Sequence, residues 1–221
     1  MNRRFACIAL WQWAAMAAVT AVLMLFPQID YRISTLFYDG SRFIGSGTWA
    51  EALLYHSVGP VVGGTFTAAL LLWLFNRFFH RSVAGWNGRK LLYVLLVFGI
   101  GSGLVVNAML KEHLGRSRPA RTVEFGGKYP MTPLFVPTRH PGYSCTSGHA
   151  AAAFSLLAFV FVSRRKRLWA TVALLYGAAV GVARISVGGH FFSDVVGSLF
   201  IVYITAGIVC RLMCAKACDA V

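Results

Sequence analysis

The stretch Gly188-Gly-His-Phe-Phe-Ser-Asp194 sets a histidine and an aspartate four positions apart at the start of an apolar run. At a helix start, residues four apart face the same way, so Asp194 can accept a hydrogen bond from one ring nitrogen of His190. That bond fixes the tautomer and leaves the other nitrogen as a nucleophile. The positive helix end opposes premature protonation of the ring. Two further polar clusters sit at similar places. Thr146-Ser-Gly-His149 opens another apolar run. There Ser147 is a natural N-cap, Gly148 admits a ligand close to the backbone, and the first N–H groups suit an anion. His149 is a second imidazole, suited to protonating a leaving oxygen. Lys111-Glu-His-Leu-Gly-Arg-Ser-Arg118-Pro119 closes a third run. Lys111 and Arg118 share a face if the helix continues between them, although Pro119 disfavours helix at the residue before it. With Arg184 they supply three positive charges for a group carrying charge on several oxygens, and arginine adds bidentate geometry. The chemistry these residues spell is phosphoryl transfer through a phosphohistidine, followed by attack of water.

Each piece also has a plain structural reading. Lys111 and Arg184 could snorkel at a membrane surface, Arg118-Pro119 could be a solvated loop, His190 with Asp194 could be a satisfied buried pair, and Ser147-Gly148-His149 could be only a helix cap. What joins them is their place in the chain. The 221 residues are 57% hydrophobic and 13% charged, with mean hydropathy +0.65, far from a soluble domain's usual charge content. Six apolar stretches run roughly over residues 5–26, 49–75, 91–110, 147–162, 168–187 and 191–213. A spanning helix needs about 20 apolar residues, with about 17 as the lower limit, and the fourth stretch lies at the edge of that limit. Lipid cannot satisfy free backbone, so the spans are expected to be helices packed together. The expected fold class is all-α, a polytopic six-transmembrane-helix bundle with a periplasmic loop region covering the site. The whole chain, 1–221, reads as a single domain, and the first stretch reads as an uncleaved span.

Alternating the connections puts twelve Lys and Arg on the side of Arg164-Arg-Lys-Arg167 and nine on the other, whereas six of the seven acids fall on that second side. Short, purely basic loops mark the cytoplasm. Both termini are thus expected inside, and all three polar clusters outside. Intramembrane ionisable residues gathered on one face point to a functional site. The formal charge of +14 is scattered between apolar runs and forms no stripe, which argues against a nucleic-acid partner. No obligatory protein partner is evident. Cys145 has no expected partner on its side, and Cys210, Cys214 and Cys218 repeat along one helix face, so no disulfide framework is expected. The connection from Lys111 to Cys145 holds five of the seven prolines, and its segment Gly126–Arg139 is a candidate for covering and selecting a headgroup.

The three clusters resemble the signature of the type 2 phosphatidic acid phosphatase (PAP2) superfamily: Lys, six residues, Arg-Pro; Pro-Ser-Gly-His; and Ser-Arg, five residues, His, three residues, Asp. Lys111, Arg118 and Pro119 match the first part. Ser147, Gly148 and His149 match the second, with Thr146 in place of proline. Arg184, His190 and Asp194 match the third, with Ala183 in place of serine. The resemblance implies a metal-independent phosphatase with no cofactor, His190, His149 and Asp194 as catalytic residues, and Lys111, Arg118, Ser147, Gly148 and Arg184 binding phosphate. Within the superfamily, "FPQID", "FYDGSRFIG", "GLVVN", "GRSRPARTVEFGG" and "GGHFFSDVV" are similar to bacterial lipid A 4′-phosphatases. The implied substrate is a lipid phosphate at the periplasmic face of the inner membrane, with the bilayer itself as a partner. Phosphatidylglycerophosphate, undecaprenyl diphosphate and a lipid acceptor for the phosphoryl group remain open, as does a transporter in a different class, which polar residues at midplane and discontinuous spans would favour.

Overall fold

The computed structural model describes residues 4–138 and 142–214, with the side chains of Lys111 and Glu112 outside that description. Arg139, His140, Lys216, Cys218 and Asp219 therefore lie outside the described residues. The chain opens on a short antiparallel hairpin, β1 (Arg4–Phe5) and β2 (Ile8–Ala9). The first helix, α1 (Leu10–Leu25), starts only after it. Gln12 reaches back to accept from the Ala9 N–H at 3.0 Å and so satisfies one orphan donor of the helix start.

Phe26-Pro27 ends α1, and α2 (Gln28–Thr35) leaves at an 80° bend. This break follows from the Pro27 ring, which cannot continue a helix's hydrogen bonding. It turns a short polar helix against the Phe192–Met213 helix and buries Asp30 and Ser34. Thr48 caps α3 (Trp49–Val58), which runs through wider π-helical turns at Gly59–Gly63 into α4 (Gly64–Phe79). Asn87 caps α5 (Gly88–Leu96). That rod continues through Val97–Leu110 to α6 (Lys111–Leu114), where Gly115 stops it in the left-handed conformation with φ 60°. Ser147 caps α7 (Gly148–Phe154), which passes through one tight turn into α8 (Ala158–Val162). Two long rods, α9 (Lys166–Ser186) and α10 (Phe192–Met213), complete the bundle.

Four rods, Trp49–Phe79, Gly88–Leu110, Lys166–Ser186 and Phe192–Met213, are long and apolar enough to cross a membrane. The bent pair α1–α2 makes a fifth if it counts as one span, and Gly148–Val162 is apolar but shorter. The bundle is helical as expected, with four or five candidate spans among the described residues where six were expected. The shortfall has two causes, the break at Pro27 and the shortness of the 148–162 run. Large apolar side chains such as Trp49, Leu53, Leu71, Phe78, Leu175 and Leu212 face outward, a surface suited to lipid. Inside, α7, α9 and α10 pack closely; a β-carbon at Gly181 of α9 would run into the Val195 side chain of α10, the small-residue contact that lets helices approach in lipid. Cys7 is disulfide-bonded, against the expectation of no disulfide. The hairpin that folds Ala6 and Ile8 against Gly207 of α10 was not legible in an apolar run read as one helix. Cys145, Cys210 and Cys214 are in no disulfide.

Candidate active site

Residues 187–191 join α9 to α10 and are clamped from two sides. Gly188 sits at φ +64° with the Phe43 ring and Ala120 where a β-carbon would go, and its carbonyl accepts from the Ala120 N–H at 3.0 Å. The loop thus holds His190 2% exposed. His190 Nδ1 lies 2.7 Å from the carbonyl oxygen of Ser144. A carbonyl can only accept, so Nδ1 carries the proton and Nε2 the lone pair. Burial lowers the His190 pKa from 6.5, although Asp194 works against that shift.

Asp194 does not make the expected bond to His190. Its Oδ2 is 3.9 Å from Nδ1, within reach of an ion pair but too long for a hydrogen bond. The reason is local: α10 begins at Phe192, so His190 precedes the helix and the four-residue helical spacing does not govern it. Asp194 Oδ2 instead accepts from the Phe191 N–H at 2.9 Å and the Ser144 hydroxyl at 2.5 Å. Ser144 therefore touches both groups, His190 by its carbonyl and Asp194 by its hydroxyl.

The other oxygen of Asp194 opens a buried charge network that the sequence reading did not single out. Arg116 NH1 donates to Asp194 Oδ1 at 2.6 Å, and NH2 donates to Asp30 Oδ2 at 2.8 Å. Ser193 adds its N–H and hydroxyl to Asp30, at 2.8 and 2.5 Å. Arg116 Nε donates to the carbonyl of Thr132, and the guanidinium lies 4.4 Å over the Phe191 ring. Side-chain exposure is 1% for Arg116, 1% for Asp30 and 0% for Asp194. Burial disfavours the Arg116 charge, but Asp194 and Asp30 outweigh it and raise its pKa. Asp30 and Arg116 lie in "FPQID" and "GRSRPARTVEFGG". The available signal was that a chain with seven acids places one directly after a helix break.

The remaining expected residues converge from three other segments. Ser147 Oγ accepts from the Ala150 N–H as the cap of α7, while its carbonyl accepts from Ser198 Oγ of α10 at 3.0 Å. This pins residues 144–149 to the start of α10, with Ser147 and Gly148 buried and His149 half-buried. Arg184, at the end of α9, pairs through NH1 with Glu51 Oε1 at 2.8 Å, and its buried Nε has no hydrogen-bond partner. Such a donor is what a bound anion would satisfy. Arg118 stands after α6 in extended conformation. Burial first, then the charges of Arg184 and Arg121, lower its pKa, so two of the three expected cations stand close together. The break at Gly115, not a shared helix face, delivers Arg118. Lys111 opens α6, and its side chain lies outside the described residues. Tyr55 and Glu51 of α3 also reach this place and carried no signal in the sequence. The Tyr55 ring stacks on His149 with centroids 4.3 Å apart and takes Arg184 over its face at 4.9 Å.

Above the His190 loop, Tyr38, Phe43 and Phe125 form an aromatic knot with all three centroid distances at 5.2 Å. Part of the Pro-rich connection is fixed as well, with Thr132 on Arg116 and Phe135 against Gly197. Among the described residues no three His, Cys, Asp or Glu side chains are grouped to hold a metal ion. Cys145 is buried beside this network, and burial pushes its thiol up to about 12.

Known proteins resemble the chain along most of its length. The profile of the PAP2 superfamily matches residues 92–217. A lipid A 4′-phosphatase of Francisella tularensis subsp. novicida is 32% identical over 200 residues, covering 87% of this chain and 90% of that protein. One of Rhizobium leguminosarum is 30% identical, covering 84% and 86%. Phosphatidylglycerophosphatase B of Bacillus subtilis is 32% identical over 130 residues, 54% of each chain. No solved structure matches significantly.

Proposed function

The chain belongs to the PAP2 superfamily, and from that membership we propose that it is a membrane lipid phosphatase that removes a phosphate monoester, the 4′-phosphate of lipid A, through a phosphohistidine on His190. The observation that carries the mechanism is the bond from His190 Nδ1 to the Ser144 carbonyl, which leaves Nε2 as the nucleophile. In this reading Nε2 attacks phosphorus as the bond to the sugar oxygen breaks. His149 gives that oxygen a proton, which a poor alkoxide leaving group requires. Lys111, Arg118, Arg184 and the first N–H groups behind Ser147 and Gly148 hold the phosphoryl oxygens. Water then attacks the phosphohistidine, releasing phosphate and restoring the imidazole. Asp194, 3.9 Å from Nδ1, stabilises the positive charge on the ring while the intermediate exists.

The substrate rests on the names of the relatives. The setting follows from charge and hydropathy: six passes through the bacterial inner membrane, cytoplasmic termini and a periplasmic site, with the 147–162 helix as a short pass. An amphiphilic substrate in the outer leaflet then reaches the cations with its chains still in lipid. The Pro-rich connection lies beside the headgroup as part of its cover.

Purified protein assayed with EDTA is expected to release phosphate from lipid A faster than from phosphatidylglycerophosphate or undecaprenyl diphosphate. Mass spectrometry of the product is expected to show loss of the 4′-phosphate. A preference for either other lipid would move the substrate, and silence on all three would remove the activity. Asp194→Asn is expected to lower kcat by about 10²-fold with KM little changed. The loss stays below the ~10⁴-fold seen where an aspartate alone sets the tautomer, because Ser144 still sets it here. A KM rise with unchanged kcat would contradict this role.

A further inference from the structure

Helix α3 lies outside the region matched by the PAP2 profile, yet it touches two groups of the site from one side. Glu51 and Tyr55 are four residues apart, so they stand one above the other on the same helix face. Glu51 holds the Arg184 guanidinium by NH1 at 2.8 Å. Tyr55 presents one ring to Arg184 at 4.9 Å and to the His149 ring, stacked at 4.3 Å with 28° between planes. The contact with His149 is a ring laid on a ring. A flat stack of this kind restricts the tilt of the imidazole while leaving its edge, where both nitrogens lie, open to other partners. The cation over the same ring adds a second restraint, and Glu51 fixes where that cation sits.

We propose that Tyr55 is a positioning residue that aims the His149 imidazole at the leaving oxygen, with Glu51 holding Arg184 as the other contact of the same ring. The proposal rests on the reading of His149 as the proton donor. It makes α3 a fourth segment of the site beside the 111–118, 144–149 and 184–194 segments. It gives a reason for an acid and a tyrosine at this spacing in a lipid-facing rod, where neither is needed to fill the core. Both side chains are only half-buried.

A residue that acts through the proton donor affects esters according to their leaving group. The test compares 4-nitrophenyl phosphate, whose phenolate leaves without help, with lipid A, whose sugar alkoxide does not. Tyr55→Leu is expected to lower kcat on lipid A by about 10²-fold, the lower end of what a general acid contributes, and on 4-nitrophenyl phosphate by less than about 3-fold. Tyr55→Phe, which keeps the ring, is expected to recover most of the lipid A activity. In the His149→Ala background Tyr55→Leu is expected to add almost nothing, since the two act as one unit. Equal losses on both substrates for Tyr55→Leu, or an additive double variant, would overturn the inference while His149→Ala alone stays selective for lipid A. If His149→Ala itself loses both activities equally, the proton-donor reading fails and this inference fails with it. A general loss of folded protein would appear as equal losses in every Tyr55 variant, and Tyr55→Phe separates that outcome from a ring-specific one.

Discussion

His190→Ala is expected to lower kcat/KM by on the order of 10⁵-fold, about 7 kcal/mol of transition-state stabilisation, with the protein still folded and still binding phosphate. The expectation follows from what the ring does and does not hold. His190 Nδ1 contacts a backbone carbonyl, so removal of the ring leaves one buried acceptor short of a partner, a loss of about 1–3 kcal/mol. Asp194 keeps the Arg116, Ser144 and Phe191 donors and is not left unpaired. Chemistry should therefore fail well before structure does. The low pKa of His190, set first by burial, adds a sign to the pH dependence. Lowering the pKa keeps the imidazole neutral at acidity where an ordinary histidine is charged. The acid limb of kcat/KM is expected below pH 6.5, the ordinary value, and an acid limb above it would contradict the buried neutral nucleophile.

Arg116→Met is expected to have the opposite balance, a structural loss first. The substitution leaves Asp30 and Asp194 buried without the cation between them. Breaking a buried charge network from one side costs roughly 3–5 kcal/mol, because the partner charges stay desolvated. That is a large fraction of the stability of a domain. The variant is expected to accumulate poorly and to melt well below the parent. Adding Asp30→Asn, which removes one of the two stranded carboxylates, is expected to recover part of the loss. The readouts are folded yield in detergent and the thermal midpoint of each variant. Arg116→Met with parental stability would show that the network is not what holds α2 and the 193–194 turn together.

The two expectations differ because of how the site was assembled, and that difference tracks what the sequence could reveal. His190, His149, Arg184 and Ser147 were legible because each sits at the edge of an apolar run, where a polar residue stands out. The contact that orients His190 was not, because a backbone carbonyl has no residue type; Ser144 would have looked like any loop serine. Asp30 and Arg116 meet across 86 positions, and only the 80° turn after Pro27 brings them together. Proline announced a break there but not its direction. Glu51 and Tyr55 were hidden for another reason. They lie inside a run read for its hydropathy, and their partners sit at the start of α7 and the end of α9. The helical class was legible from six apolar runs, whereas the hairpin at Arg4–Ala9 was masked by residues as apolar as the helix that follows.

Trapping the intermediate shows whether the histidine held by the buried loop takes the phosphoryl group. Protein mixed with phosphorus-labelled substrate and quenched in alkali, where phosphohistidine survives, is digested and the labelled peptide sequenced by mass spectrometry. Label is expected on Nε2 of His190, formed and lost at rates compatible with turnover. Label on another residue, or none while turnover is in progress, would contradict it.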